Sequence, residues 1–384
     1  MADDRIVLKG ITWNHSRGFV PMTATAQRFT ELHPNVDIVW EKRSLQQFAD
    51  LSIQQLAEKY DLLVIDHPWA GFAARTKSIL PLDEHLSAEF LADQAQNTVG
   101  HSFESYSFNG HQWALAIDAA TPVASSRPDL LAQHGLQLPE TYEDLLALAD
   151  RKLVAFSLIP IDTLMSFYMF CSSLGEDPCQ QEDVVSEHVG IQALQLFRQL
   201  ASRVDPACFH RNPIQVYEAM TQTDDVAYCP FAYGYSNYSR RGYARKLLHF
   251  HDMITLNGES RLRSTLGGTG LAISAKCQHV QEAAQYAEFV ASPACQQTLY
   301  FDNGGQPGHL GAWQDEYVNS QSSNYFAATL PALQRAFLRP RYHGHMFFQD
   351  HAGEPVRQYL MHGGDEATLL KQLNDLYRES RAMA

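Results

Sequence analysis

The hydrophobic pattern of the first 66 residues alternates between strand-like and helix-like segments. An unbroken apolar run, Leu62–Ile65, is typical of a central strand that is covered on both faces. Residues 5–13 and 36–40 also predict strands, and apolar residues at helical spacing predict helices over 21–32 and 45–59. Because crossovers of this kind are right-handed and join parallel neighbours, we expect one parallel sheet with three carboxyl ends side by side.

Polar and aromatic side chains collect where each of these predicted strands ends. In open α/β sheets, ligands bind at the carboxyl edge, so the pattern predicts a binding site there. No catalytic motif accompanies it. The candidate residues at this edge are Trp13, His15, Arg17, Arg43, Asp66 and His67.

The next short apolar strand, predicted over residues 113–117, stops at Asp118, where we expect the chain to cross from a first lobe into a second. Thr141 and Asp144 have the spacing of a helix capping box. Residues 153–158 and 226–232 predict strands, and the second leads into an aromatic loop with Tyr233 and Tyr235. Further helices are predicted over 163–174, 191–201, 280–290 and 366–381. The glycine-rich stretch 266–274 lacks either phosphate-binding glycine fingerprint and is interpreted as a backbone crossing between the lobes.

Composition restricts the partners that the chain can have. The 384 residues carry 29 basic and 43 acidic side chains, a formal net charge of −14, which argues against a nucleic-acid surface and an anionic membrane surface. No stretch approaches the roughly 20 apolar residues of a membrane span, so no direct membrane insertion is expected. The start, MADDRIVLKG, lacks the pattern of a signal peptide. We therefore expect either a trimmed leader or a cytoplasmic form.

Cysteine and histidine spacing gives no metal-site pattern. The six cysteines are expected to be free thiols, with a Cys171–Cys179 bridge as the alternative. The stretch 341–348 contains His343 and His345, with His351 nearby, but a His-x-His pair lacks the partner spacing of a structural metal site, so metal binding is not favoured. No metal and no cofactor is expected.

The order and spacing of these segments resemble the extracellular solute-binding proteins of ABC importers, in the group that includes maltose-binding protein. The resemblance covers nearly the whole chain. It is carried by FTELHPNVDI at 29–38, residues 61–66, GHQWALAID at 110–118, PETYEDLL at 139–146, and residues 267–274 followed by EAAQYAEFVASPACQQ.

The resemblance implies an α/β protein with the two-lobed periplasmic-binding-protein fold of type II. Each lobe would be a mostly parallel sheet flanked by helices, and hinge crossings would join them. Lobe 1 is expected over residues 1–117 and 272–312, lobe 2 over 118–271 and 313–384, with the ligand cleft between them.

The implied function is capture of a small polar ligand by hinge closure, without catalysis. The ligand would be a carbohydrate, a sugar acid or another organic acid, and ABC permease subunits would recognise the closed form if the protein is exported. A periplasmic or extracellular location and a monomer are expected on the same ground.

Each candidate side chain suits part of such a ligand. Aromatic rings stack on the C–H faces of sugars, and carboxylates accept hydrogen bonds from sugar hydroxyls. Arginines pair with ligand carboxylates, and the two arginines together with His15 keep an acidic ligand open as an alternative. His345 and Phe348 fall in a segment that aligns with a cleft-lining part of the family. The aromatic candidates are Trp13, Tyr233, Tyr235 and Phe348; the polar ones are His15, Arg17, Arg43, Asp66, His67, Asp118 and His345.

Several alternatives remain open at this point. Trp13 also suits the core, Arg43 a surface charge and Asp118 a turn cap. A cytoplasmic ligand sensor on the same fold is the alternative function. A two-lobed α/β enzyme with Asp66 or His67 as acid/base is less favoured, because the sequence has no nucleophile elbow, metal motif or cofactor loop.

Overall fold

A computed structural model describes residues 5–44, 52–256, 258 and 260–383. It divides into two compact units. Unit 1 contains the chain up to Ala120, Gly267–Val318 and Arg341–His343; unit 2 contains Thr121–Leu266, Asn319–Pro340 and the chain from Gly344. Residues 118–120, 267–271, 313–318 and 341–343, which the sequence analysis assigned to lobe 2, thus belong to unit 1.

The described strands and helices follow one another along the chain as given below. The strands are β1 (Ile6–Trp13), β2 (Val36–Arg43), β3 (Leu62–Ile65), β4 (Ser107–Phe108), β5 (His111–Gln112), β6 (Leu115–Ala120), β7 (Pro122–Ser126), β8 (Tyr228–Tyr233), β9 (His249–His251) and β10 (Gly267–Ile273). The helices are α1 (Ser16–Leu32), α2 (Ile53–Ala57), α3 (Ala70–Thr76), α4 (Ala88–Asn97), α5 (Ser102–Ser105), α6 (Pro128–Gln133), α7 (Tyr142–Asp150), α8 (Pro160–Ser173), α9 (Glu187–Ala201), α10 (Pro213–Gln222), α11 (Val280–Ala291), α12 (Pro293–Cys295), α13 (Leu310–Gln314), α14 (Glu316–Gln321), α15 (Tyr325–Gln334), α16 (His345–His362) and α17 (Glu366–Ala382). Short 3-10 turns cover His67–Trp69, Leu82–Glu84, Pro206–His210 and Ser236–Ser239, and one π turn covers Gln296–Tyr300.

The sheet of unit 1 has the strand order β2-β1-β3-β10-β6. β1 pairs in parallel with β2 and with β3, which confirms the predicted arrangement of the first three strands. β10 is antiparallel to both of its neighbours, β3 and β6, so β6 runs in the same direction as β1, β2 and β3. Four carboxyl ends therefore share one edge of the sheet.

Helices α1 and α11 supply much of the core on one face of this sheet. Met22 and Phe29 of α1 are 1% exposed, and the Phe29 ring packs edge-on against Tyr286 of α11, with the ring centres 5.4 Å apart. The Tyr286 hydroxyl and Thr25 Oγ1 lie 2.9 Å apart, and Trp40 Nε1 donates to the same Tyr286 oxygen at 3.1 Å. Tyr286 therefore keeps its polar group bonded inside an apolar cluster.

In unit 2 the sheet is antiparallel, with the order β8-β7-β9. The expected mostly parallel sheet is therefore found in unit 1, and for unit 2 that expectation is wrong. The strand predicted over 153–158 is reduced to an isolated bridge between Val154 and Tyr228. The segment does not continue as a strand because the N–H of Leu158 donates to the carbonyl of Cys208, and helix α8 begins two residues later at Pro160.

The local predictions for unit 2 are mostly confirmed. Thr141 caps α7, with reciprocal bonds between Thr141 and Asp144. The apolar helix α8 is buried over most of its length and packs against α16, whose Gly353 meets the carbonyl of Pro160: a Cβ at Gly353 would lie 2.1 Å from that oxygen. The helix predicted to start at residue 45 lies outside the described residues up to residue 51, and α2 covers its later part.

All six cysteines are buried free thiols, as the favoured prediction had it, and the alternative Cys171–Cys179 bridge is not formed. No described helix combines the length and the apolar character that crossing a bilayer would require.

Candidate functional site

The carboxyl edge of the unit 1 sheet brings together most of the polar residues that the sequence singled out. Trp13 and Arg43 are opposite each other at the ends of β1 and β2. Asp66 follows directly after β3, and Asp118 lies on β6. Since Gly270 of β10 is the register partner of Ile65 on one side and of Ala116 on the other, Asp66 and Asp118 lie at the same edge.

Arg17 and Asp118 form a buried ion pair with each other. Nε of Arg17 donates to Oδ2 at 2.8 Å and Nη2 donates to Oδ1 at 2.5 Å, a bidentate geometry. The side chains are 5% and 0% exposed. Burial raises the pKa of the Asp118 carboxyl, and the Arg17 guanidinium opposes that rise. The sequence analysis assigned each residue to a ligand group; in the structure each has the other as a partner, and Asp118 is not a turn cap.

His15 explains why α1 begins earlier than predicted. Its side chain caps the helix, with Nδ1 accepting from the backbone N–H of Arg17 at 3.0 Å. The helix therefore starts at Ser16, and Pro21, which was expected to open it, lies in its interior. Burial, together with the Arg17 charge, lowers the pKa of His15 to about 4. His15 is thus a neutral group at pH 7.

Trp13 and Arg43 end their strands in buried positions. Trp13 is 4% exposed and belongs to the hydrophobic core, where its ring packs so closely on Gly18 that a Cβ there would lie 2.4 Å from it. Arg43 is 6% exposed, which excludes the surface-charge interpretation. Burial lowers the pKa of Arg43 to about 10, with Tyr60 opposing, so the guanidinium stays charged at neutral pH.

Asp66 is the carboxylate at this edge that keeps contact with solvent, with a side chain 26% exposed. Its Oδ1 accepts from the backbone N–H of His67 at 2.9 Å and so caps the turn that follows β3. His67 is fully buried, with its ring perpendicular to that of Tyr106. The Tyr106 hydroxyl donates to the carbonyl of Ile65 at 3.2 Å, which fixes the end of the strand that presents Asp66.

The two aromatic candidates at and just after the end of β8 contact other residues of unit 2. The Tyr233 hydroxyl lies 2.9 Å from Thr265 Oγ1, and the side chain is half-buried. Tyr217 donates its hydroxyl to the carbonyl of Tyr233 at 3.1 Å. Tyr235 is 7% exposed and lies edge-on to Tyr217 at 6.3 Å. Tyr233 is therefore the more accessible of the two predicted aromatic residues.

His345 and Phe348 lie in the first turn of α16 and are both fully buried. Burial, with a contribution from Arg339, lowers the pKa of His345 to about 3. Phe348 packs edge-on against Tyr377, with the ring centres 5.7 Å apart. Neither side chain is exposed to solvent.

Two residues at the unit 1 edge were missed by the sequence analysis. Tyr106 positions the end of β3, and Thr269 on β10 has a buried hydroxyl opposite Asp118. Neither residue stands in a recognisable motif, because the first acts through a carbonyl 41 positions away and the second depends on a strand pairing. Among the described residues, no three His, Cys, Asp or Glu side chains are grouped so that they could hold a metal ion.

Comparisons with known proteins agree with this architecture. A sequence model of the family described as bacterial extracellular solute-binding protein matches residues 24–322, well over half of the chain. No curated protein matches the chain.

Solved structures share the fold at low sequence identity. Maltose-bound MalE3 of T. maritima has a TM-score of 0.84 and 16% identity, covering 99% of this chain and 100% of its own. A solute-binding protein of an ABC transporter from Agrobacterium radiobacter K84, in complex with ribitol, has a TM-score of 0.82 and 17% identity, covering 97% and 98%. One from Agrobacterium vitis S4 with bound D-mannitol has a TM-score of 0.78 and 14% identity, covering 98% of each. The chain belongs to the bacterial extracellular solute-binding protein family.

Proposed function

We propose that this protein is the solute-binding component of an ABC importer and that it binds a neutral, polyhydroxylated ligand, a sugar or a polyol, without transforming it. The family match supports the binding role. The structures with the same fold carry maltose, ribitol and D-mannitol, which are all neutral and rich in hydroxyl groups.

The Arg17–Asp118 pair is the observation that carries the choice of a neutral ligand. The sequence had left a carboxylate ligand open because two arginines were expected at the edge. Arg17 is now paired within the protein, and the four charged groups at this edge, Arg17, Arg43, Asp66 and Asp118, sum to zero. A ligand carboxylate that binds Arg17 would have to displace Asp118 from the guanidinium, and Asp66 would repel a carboxylate anywhere at this edge. A neutral ligand avoids both costs.

Asp66 and the aromatic residues suit the chemistry of such a ligand. A partly exposed carboxylate accepts hydrogen bonds from hydroxyl groups, and a half-buried tyrosine offers a planar face to C–H groups. Following the family pattern, the ligand would be captured by closure of the two lobes and the closed form recognised by permease subunits outside the cytoplasm. A monomer suffices for this role.

Calorimetric titration tests the proposal directly. The panel is ribitol, D-mannitol, D-tagatose and maltose, each in parallel with sugar acids of matching size, D-gluconate and D-galacturonate. We expect saturable binding of one neutral compound at one site per chain, with the ligand recovered unchanged by NMR. Tighter binding of an acid, absence of binding across the panel, or formation of a product would contradict the proposal.

A further inference from the structure

Thr269 carries a buried hydroxyl that the fold leaves without use. The residue is 7% exposed, and within the described parts of the chain its Oγ1 has no hydrogen-bond partner. Leaving a hydroxyl buried and unpaired is unfavourable compared with a methyl group of the same shape. A residue of this kind needs an explanation, and its position in the sheet provides one.

A bulge in the sheet sets the direction of this side chain. Thr269 is opposite Asp118, whereas the next residue, Gly270, is opposite Ala116, so the register shifts by one residue between them. Bulges of this type change the direction of a side chain and are common beside binding sites. The bulge requires a glycine at position 268. Gly268 has a φ of 104°, and a Cβ there would lie 2.3 Å from the Asp118 carbonyl oxygen.

The bulge places Thr269 beside the buried ion pair at the carboxyl edge. The main chain of Thr269 is hydrogen-bonded with the Asp118 carboxyl group, which is itself held by Arg17. The Thr269 hydroxyl therefore stands next to a group that is fixed by two bonds to Arg17. The hydroxyl can both donate and accept a hydrogen bond, and its neighbours are held in place by hydrogen bonds. Selective recognition of a ligand hydroxyl requires a preorganised group of this kind.

A second buried hydroxyl, that of Thr98, provides a control for the position of Thr269. Thr98, which follows helix α4, is 6% exposed, and its Oγ1 likewise has no partner among the described residues. It pairs through its backbone with His309 and lies outside β6 and β10, the two strands that carry Asp118 and Thr269. Thr98 thus offers a matched control with the same chemistry and burial but a different position.

We propose that the Thr269 hydroxyl hydrogen-bonds a hydroxyl group of the bound ligand and that this contact contributes to specificity for polyhydroxylated compounds. The inference rests on the proposed function. It adds a ligand contact on β10, a strand that the sequence marked only as a backbone crossing.

The test compares Thr269→Val, Thr269→Ser and Thr98→Val with the wild-type protein. The probe is whichever of ribitol, D-mannitol, D-tagatose or maltose binds the wild type most tightly. Thr269→Val is expected to weaken binding about tenfold, because a ligand hydroxyl loses its partner, while Thr269→Ser stays within about threefold. Thr98→Val should leave the affinity unchanged. Without ligand, both valine variants should melt at or above the wild-type temperature, since each loses only an unpaired hydroxyl.

Two results would overturn the inference alone. One is a wild-type affinity for Thr269→Val. The other is a ligand-free melting temperature that drops by several degrees in Thr269→Val but not in Thr98→Val, which would assign the hydroxyl to the fold. If the wild-type protein binds none of the four compounds, the proposed function fails, and the inference fails with it.

Discussion

Breaking the buried Arg17–Asp118 ion pair should lower the free energy of unfolding, and the burial of the pair sets the size of the loss. Replacing Arg17 by methionine keeps the apolar stem of the side chain and leaves the carboxyl group of Asp118, 0% exposed, without the guanidinium that pairs with it. Removing one member of a buried pair costs about 3–5 kcal/mol, because the remaining charge stays buried. Arg17→Met should therefore lower the free energy of unfolding by that amount at pH 8.

The cost should depend on pH in a defined direction. Burial raises the pKa of Asp118, and Arg17→Met removes the main group that opposes the rise. The folded variant then binds a proton at Asp118 more readily than the unfolded chain does, so the contribution of Asp118 to stability is largest at low pH and is lost as pH rises through the folded-state pKa. The loss relative to wild type should therefore be smaller at pH 5 than at pH 8. Arg17→Met combined with Asp118→Asn should recover most of the loss, because no buried charge remains.

Urea unfolding followed by fluorescence provides the assay, and unit 1 provides the control. Arg5 and Asp37 form a second bidentate pair, with distances of 2.7 and 2.8 Å, but their side chains are 47% and 33% exposed. Arg5→Met should cost less than about 1 kcal/mol, as exposed pairs do. If Arg17→Met costs no more than Arg5→Met, or if its cost does not change with pH, the reasoning from burial is refuted.

Two further substitutions test unit 2 and unit 1 separately. Ser157 has one hydroxyl hydrogen but lies 2.5 Å from Oδ2 of Asp162 and 2.8 Å from the carbonyl oxygen of Arg211, an arrangement that a protonated Asp162 satisfies. Burial raises the pKa of Asp162 to about 6, with Ser157 opposing, so between pH 4 and 7 the wild type should lose about 2–3 kcal/mol of stability relative to Asp162→Asn in urea titrations; parallel pH profiles of the two proteins would contradict this. Gly71→Ala should cost about 1–3 kcal/mol by thermal or urea unfolding, because its Cβ would lie 1.7 Å from the carbonyl oxygen of Arg341; a change below about 0.5 kcal/mol would show that the backbone there yields freely.

Features that depend on neighbouring residues could be read from the sequence. The apolar run of β3 and its stop at Asp66 identified a central strand and the edge at which it ends. The spacing of Thr141 and Asp144 identified the start of α7 to the residue. In each case the hydrogen bonds or the burial involved are local, so the pattern contains the information.

Features that depend on distant pairing could not be read in this way. Arg17 and Asp118 are 101 residues apart, and only the folded structure shows that their charges neutralise each other. The unpaired hydroxyl of Thr269 depends on an antiparallel strand placed between β3 and β6 and on the bulge within it. The start of α1 was missed for another reason: a histidine caps it, and histidine is not among the preferred capping residues.

A crystal structure of the protein with the tightest-binding neutral compound of the panel would test the proposed site most directly. We predict that ligand hydroxyl groups lie within hydrogen-bond distance of the Asp66 carboxylate and of Thr269 Oγ1, with Arg17 and Asp118 still paired beside them. A ligand bound away from the carboxyl ends of β1, β3 and β6, or one that draws Arg17 from Asp118 onto its own carboxylate, would contradict the assignment.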